Sequence, residues 1–218
     1  MPISAVVFDL DGTLVHSAPD LHAAANRMLS DFGLQTVSLD QIISFVGEGV
    51  PKLVERCLAA VDASNTPQDR ALASFREHYL ANPYALTEPY PGVVDLLEAL
   101  QTHEIALGIC TNKPIRMTNI ILDGLGLSSF FQVVIGGDSL PVRKPSPQPL
   151  LNAFDALEVD AEFTLYVGDS EVDAGTAEAA GVSFALFEGG YRKAPADGLQ
   201  AQYVFDNFPA LKDYILKG

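Results

Sequence analysis

Apolar runs at residues 3–8, 105–110, 133–135, 163–167, 183–186 and 203–205 alternate with helical periodicities, and this alternation constrains the fold more than any other feature. Such short runs, rich in Val, Ile, Phe and Leu, suit strands buried on both faces. Helical patterns span 93–102, 116–125, 149–157 and 172–180; Gly124 or Gly126 closes the second and Gly181 the last. Strand and helix in alternation predict an α/β protein with a doubly wound parallel sheet, covered by helices on both sides.

The interval between the first two runs is far longer than a crossover with one helix requires. It reads as an insert of helices. Leu21, Ala25, Met28, Leu29 and Phe32 share one face after Pro19, and Leu53, Val54, Cys57, Leu58 and Val61 share another after Pro51. Leu72, Phe75, Tyr79 and Leu80 repeat the spacing near 70–80. The expected organisation is a core from residues 1–15 and 84–218 with an inserted α-helical cap at 16–83.

Among 218 residues, 28 are acidic and 13 are Lys or Arg, giving a net charge of −15. That balance argues against a general nucleic-acid binder, which needs basic surface to displace counterions. No apolar run approaches the roughly 18 residues of a membrane span, so no membrane partner is expected. Cys57 and Cys110 fall in apolar patterns and read as buried, reduced thiols. With no basic leader or apolar signal segment before the first run, the expected location is the cytoplasm. A homodimer is compatible with the sequence.

The first run ends in Asp9-Leu10-Asp11-Gly12-Thr13, two carboxylates on a tight turn at the carboxyl end of a strand, where open α/β sheets place their chemistry. An Asp-Gly turn explains the same residues without function. Three later run ends bear on that choice. The second run closes in Thr111-Asn112-Lys113-Pro114, a hydroxyl and backbone N–H groups that suit either a phosphate or a plain helix cap. After the third, Arg143-Lys144-Pro145-Ser146-Pro147 sets a cation on stiffened backbone. The fourth closes in Gly168-Asp169-Ser170-Glu171-Val172-Asp173, with two aspartates about one helical turn apart. Together, Asp9, Asp11, Asp169 and Asp173 crowd negative charge at one sheet edge, which demands a cation. Oxygen ligands without a Cys or His cluster favour Mg²⁺ over zinc.

These four motifs, in this order and across essentially the whole chain, resemble the haloacid dehalogenase superfamily of phosphohydrolases. The segment Phe45-Val46-Gly47-Glu48-Gly49, with Leu53 and Arg56-Cys57-Leu58 after it, is similar to the cap loop of the family's bacterial phosphoglycolate phosphatases. The resemblance implies that Asp9 attacks phosphorus to form an aspartyl-phosphate and that Asp11 protonates the leaving oxygen, then deprotonates water. It implies Mg²⁺ on Asp9, Asp169 and the Asp11 carbonyl, with Thr111, the Asn112 N–H and Lys144 on the phosphoryl oxygens. Asp173, beside Ser170, would orient Lys144 or a metal-bound water.

Asp11 favours phosphate over carbon chemistry, because a dehalogenase needs no acid two positions after the nucleophile. The expected substrate is a small anionic phosphomonoester such as 2-phosphoglycolate. Gly47 and Gly49 would allow close backbone approach, and Arg56 or Lys52 would meet a substrate carboxylate. Arg56 is equally well explained as a surface residue. A β-phosphoglucomutase-like mutase and a non-catalytic binding protein on the same scaffold are the alternatives. Tyr191-Arg192-Lys193, after Gly189-Gly190, has the reach to meet the rim of the site, but a solvated loop is the preferred reading.

Overall fold

A computed structural model describes residues 3–193 and 195–217. In chain order the elements are β1 (Ala5–Phe8), β2 (Val15–His16), α1 (Ala18–Asp31), α2 (Leu39–Phe45), α3 (Val50–Ala60) and α4 (Gln68–Ala81). There follow β3 (Glu88–Pro89), α5 (Val93–Thr102), β4 (Ala106–Cys110), α6 (Ile115–Gly124), β5 (Val133–Ile135) and α7 (Gln148–Leu157). The chain finishes with β6 (Thr164–Gly168), α8 (Glu171–Ala180), β7 (Ser183–Phe187), β8 (Tyr203–Phe205) and α9 (Phe208–Lys217).

Six strands form one parallel sheet in the order β5-β4-β1-β6-β7-β8. β1 is buried along its whole length because its side chains feed two apolar layers. Val6 and Phe8 join Leu97 and Leu100 of α5 and Leu211 and Ile215 of α9, while Val7 joins Leu150 and Phe154 of α7 and Ala177 of α8. This period-two division explains a strand read as one continuous apolar run. The chain adds β4 and β5 on one side of β1, then β6, β7 and β8 on the other. A crevice therefore opens at the carboxyl ends of β1, β4 and β6, where the direction of strand addition reverses.

The insert between β2 and β3 holds four helices rather than the three expected. α2 escapes an apolar-spacing test because Ile42 is its one buried residue, yet a capping box starts it: Ser38 accepts from the Gln41 N–H and Gln41 accepts from the Ser38 N–H. The insert has its own core of Leu21, Met28, Leu53, Cys57, Phe75 and Tyr79, and this cluster continues onto Met117 and Ile121 of α6. Three further elements lie outside the expected pattern. β2 and β3 form a two-stranded antiparallel ribbon at the base of the insert, and α9 packs Phe208, Leu211 and Ile215 under the sheet.

Candidate active site

Asp9 leaves β1 with its N–H donating to the Val167 carbonyl at 2.9 Å, so the pairing of β1 with β6 carries the carboxylate to the sheet edge. The chain then turns at Gly12, whose φ of 87° suits glycine. A methyl group there would lie 2.6 Å from Asp169 Oδ2. Gly190 crowds the same residue, and a Cβ there would lie 2.3 Å from Asp169 Cβ. Asp169 is thus clamped between two backbone segments, and it accepts from Thr13 Oγ1 at 2.8 Å and the Tyr191 N–H at 2.6 Å.

Tyr191 corrects the expectation of a solvated loop. Its ring is buried against His16, and its hydroxyl accepts from the Ala18 N–H at 2.9 Å, tying the loop after β7 to the start of the insert. Lys193 lies further out, its Nζ donating to the Val46 carbonyl at 3.1 Å.

Lys144 is the cation that the strand ends enclose; Arg143, beside it, is exposed. The Lys144 Nζ lies 2.6 Å from Asp173 Oδ1, 2.9 Å from the Tyr166 hydroxyl and 3.0 Å from Asp9 Oδ1. Asp173 is saturated: Oδ1 also accepts from Tyr166 at 2.8 Å, and Oδ2 accepts from the Ser170 N–H at 3.1 Å and Ser170 Oγ at 2.6 Å. Ser170 and Asp173 are the capping box of α8, so one local motif both starts a helix and fixes the carboxylate. Burial opposes ionisation of Asp173, but Lys144 and the hydrogen bonds from Ser170 and Tyr166 hold it below the ordinary carboxylate range. Burial would also discharge Lys144; Asp173 and Asp9 instead keep it charged, its pKa raised.

The other two carboxylates behave oppositely. Burial lifts Asp9 to about 6, with Lys144 pulling it down and Asp173 pushing it up. Burial, then repulsion from Asp173 and Asp9, lifts Asp169 well above its ordinary value. Oxygens of Asp9, Asp169 and Asp173 all lie within 4.8 Å of one another. The Lys144 contact with Asp9 Oδ1 is an ion pair off hydrogen-bond alignment, leaving that buried oxygen without a hydrogen-bond partner. An acceptor-only group with an orphan oxygen beside a second destabilised carboxylate fits a hard divalent cation. Asp173, with both oxygens engaged, is the least suited of the three to ligate one.

Thr111 and Asn112 follow β4. Asn112 spends both amide hydrogens, on the Gly47 and Lys144 carbonyls at 3.0 Å each, and so joins insert, β4 end and lysine loop. Sequence reasoning missed Lys113 as a site residue. Its buried Nζ lies 2.9 and 3.0 Å from the two oxygens of Asp11, and Ser17 also donates to that carboxylate. The signal was available, a second lysine before proline at a strand end.

Two contiguous cavities occupy the crevice. One, about 50 Å³, is lined by Asp9, Asp11, Thr111, Asn112 and Lys113 below and by Leu21, Val46, Val50 and Leu53 of the insert above. The other, about 30 Å³, reaches Lys144, Asp169, Ser170 and Lys193. Gly47 and Gly49, with φ of 117° and 88°, line the first at the insert's loop. Arg56 does not line either cavity: its guanidinium donates to the Phe45 carbonyl at 2.9 Å and to Glu48. Lys52 pairs with Glu55 at 2.6 Å on the surface. The structure thus gathers Asp9, Asp11, Thr111, Asn112, Lys144, Asp169, Ser170 and Asp173 with Gly47 and Gly49, and leaves Arg56 aside.

Residues 6–187 match the haloacid dehalogenase-like hydrolase family. A phosphoglycolate phosphatase of Cereibacter sphaeroides is 49% identical over 214 residues, covering 96% of each chain. A second, from Rhodospirillum rubrum, is 44% identical over 97% of this chain and 90% of that one. A crystal structure of a predicted phosphoglycolate phosphatase from Haemophilus somnus superposes with a TM-score of 0.92 at 29% identity, covering 97% of both chains. The chain belongs to the haloacid dehalogenase-like hydrolase family. It is a phosphatase.

Proposed function

We propose that this phosphatase hydrolyses 2-phosphoglycolate, or a comparably small phosphorylated acid, through a phosphorylated Asp9. The observation that carries the mechanism is Asp9 itself: a buried carboxylate with an orphan oxygen, beside a locked ammonium and in reach of a second carboxylate. Mg²⁺ would be held by the Asp9 and Asp169 carboxylates and the Asp11 carbonyl. When bound, it neutralises Asp9 against an anionic phosphoryl group.

Asp9 attacks phosphorus, the bond from phosphorus to the alkyl oxygen breaks, and Asp11 gives that oxygen its proton. Water then attacks the aspartyl-phosphate while the Asp11 carboxylate takes the water's proton, releasing phosphate and restoring Asp9 as a carboxylate and Asp11 as the acid. Lys144 and the Thr111 hydroxyl bind the remaining phosphoryl oxygens, with the Asn112 N–H beside them. Asp173 keeps Lys144 charged and aimed, and Ser170 keeps Asp173 in place. The insert at 16–83 acts as a cap that keeps bulk water from the intermediate.

The relatives' names and the small room beneath the insert both support a small substrate. Nothing observed favours the mutase or the non-catalytic alternative. The test is Mg²⁺-dependent phosphate release across a panel of phosphomonoesters. 2-Phosphoglycolate is expected to lead it, and Asp9→Asn to lose at least 10³-fold in kcat, about 4 kcal/mol of barrier. Equal turnover of many unrelated esters overturns the substrate, and an active Asp9→Asn overturns the nucleophile.

A further inference from the structure

We propose that Lys113 is the specificity residue of this site, receiving the carboxylate of the substrate on the leaving-group side of phosphorus. The inference rests on the acid–base role of Asp11 given above. Lys113 has 3% of its side chain exposed, its Nζ lies on both oxygens of Asp11, and the Tyr79 ring of α4 lies 5.0 Å away. An ammonium so withdrawn from water stays charged because Asp11 and Tyr79 outweigh its burial, so a full positive charge stands at the cavity wall.

Asp11 lines both cavities; among the described residues of the one beneath Leu21, Val50 and Leu53, Lys113 is the sole cation, while the other holds Lys144 and Lys193. Of the other cations nearby, Lys144 is engaged with Asp173 and Asp9, Arg56 with Glu48 and the Phe45 carbonyl, and Lys52 with Glu55, while the exposed Arg143 sets its guanidinium beside Gly49 without lining the cavity. Lys193 stands across the crevice, beside Glu171 and on the Val46 carbonyl.

The chemistry of the ester then fixes where its second charge falls. For Asp11 to protonate the leaving oxygen, the two must approach to about 3 Å. In 2-phosphoglycolate the carboxylate carbon is two bonds from that oxygen, so its own oxygens lie roughly 3 Å from it. A carboxylate that follows the leaving oxygen therefore enters the neighbourhood of Asp11, where Lys113 waits. An ammonium has three hydrogens, enough to keep one on Asp11 and turn another to the substrate. Neutral esters offer Lys113 nothing. Esters with a longer spacer carry their charge beyond it, toward the apolar wall of Leu21, Val50 and Leu53.

The test compares 2-phosphoglycolate with ethyl phosphate, which puts a methyl group in place of the carboxylate, using the full chain at saturating Mg²⁺. Lys113→Met should lower kcat/KM on 2-phosphoglycolate about 10²-fold more than on ethyl phosphate, chiefly through KM, and Lys113→Arg should recover much of that difference. Glycolate should inhibit ethyl phosphate hydrolysis by the wild type and fail to inhibit Lys113→Met, whose remaining turnover of ethyl phosphate reports that it is folded. Equal losses on both substrates would mean that Lys113 acts only through Asp11 and would overturn the proposal. So would Lys193→Met erasing the preference in place of Lys113→Met. A wild type with no preference for 2-phosphoglycolate would instead refute the substrate reading on which the inference rests.

Discussion

Replacing Asp173 by Asn keeps the shape of the residue and removes the charge that holds Lys144. The Lys144 side chain is 2% exposed and that of Asp173 0%, so neither charge can turn to water when its partner is lost. Removing one member of a buried pair costs about 3–5 kcal/mol. An asparagine also meets donors on both sides, Lys144 and Tyr166 at one end and the Ser170 N–H and Oγ at the other. Its NH₂ group must face one of those sets, leaving hydrogens opposed.

A contrary effect exists, since neutralising Asp173 relieves repulsion on Asp9 and Asp169. The balance is decided by Asp173 itself. Despite burial, its pKa lies below the ordinary value, so in the folded protein attraction to Lys144 and the hydrogen bonds outweighs burial. The lower end, about 3 kcal/mol, is therefore expected. At an m-value of about 3 kcal/mol/M, the urea midpoint falls by about 1 M. Lys144→Met in the same background should cost much less than alone, because the pair is already broken. The exposed Asp213–Lys217 pair, 2.8 Å apart with side chains 60% and 72% exposed, is the control, and Asp213→Asn should not move the midpoint. A midpoint for Asp173→Asn within 0.2 M of wild type, roughly 0.6 kcal/mol at that slope, would refute the reasoning.

Without metal, stability should rise as pH falls from 7.5 to 5.5: the folded pKa of Asp9 is raised from 3.8 to about 6, so its contribution is present at low pH and lost as pH climbs through 6. Asp169 acts in the same direction and Asp173 in the opposite one only at lower pH, so a metal-free urea midpoint that falls steadily over this range contradicts the assignment. Burial pushes the thiols of Cys57 and Cys110 up to about 12, leaving roughly 10⁻⁴ as thiolate at pH 8. A disulfide exchange reagent should label neither in the native protein and both after unfolding; rapid native labelling would show that one is accessible.

The sheet was legible because its evidence is local. Each strand is a short apolar run closed by a turn residue, and each helix of the core carries a buried stripe at 3.6-residue spacing. Apart from α9, what was missed lacked that stripe or was very short. α2 buries only Ile42, and its one clear mark is the box of Ser38 and Gln41. β2 and β3 have two residues each and exist because the ends of the insert meet. α9 did carry a signal, Phe208, Leu211 and Ile215 at i, i+3 and i+7, at the end of the chain.

The site divides along a different line. Lys113-Pro114 and Lys144-Pro145 have the same local signature, a lysine before proline after a strand, and Arg143 adds a third cation next to one of them. Nothing within a few residues separates the three. Strand order does: β4 lies beside β1 and sets Lys113 against Asp11, while Lys144, from the loop after β5, reaches Asp9 together with Asp173, which follows β6 on the other side of β1. The lysine following β4 meets Asp11, the lysine preceding α7 meets Asp9, and the arginine is exposed, its guanidinium beside Gly49 of the insert. Residue types were enough to list the groups that phosphate chemistry needs. Pairing them required the order of the sheet, because the contacts of Lys113 with Asp11 span 102 residues and those of Lys144 with Asp173 span 29. The same reasoning explains Tyr191, whose neighbours Gly189 and Gly190 suggest a free loop while its hydroxyl is held 173 residues away by Ala18. A loop residue gains a fixed position here when the sheet places a buried partner opposite, so site residues beyond the motifs are best sought at the carboxyl ends of the strands around β1, β7 included.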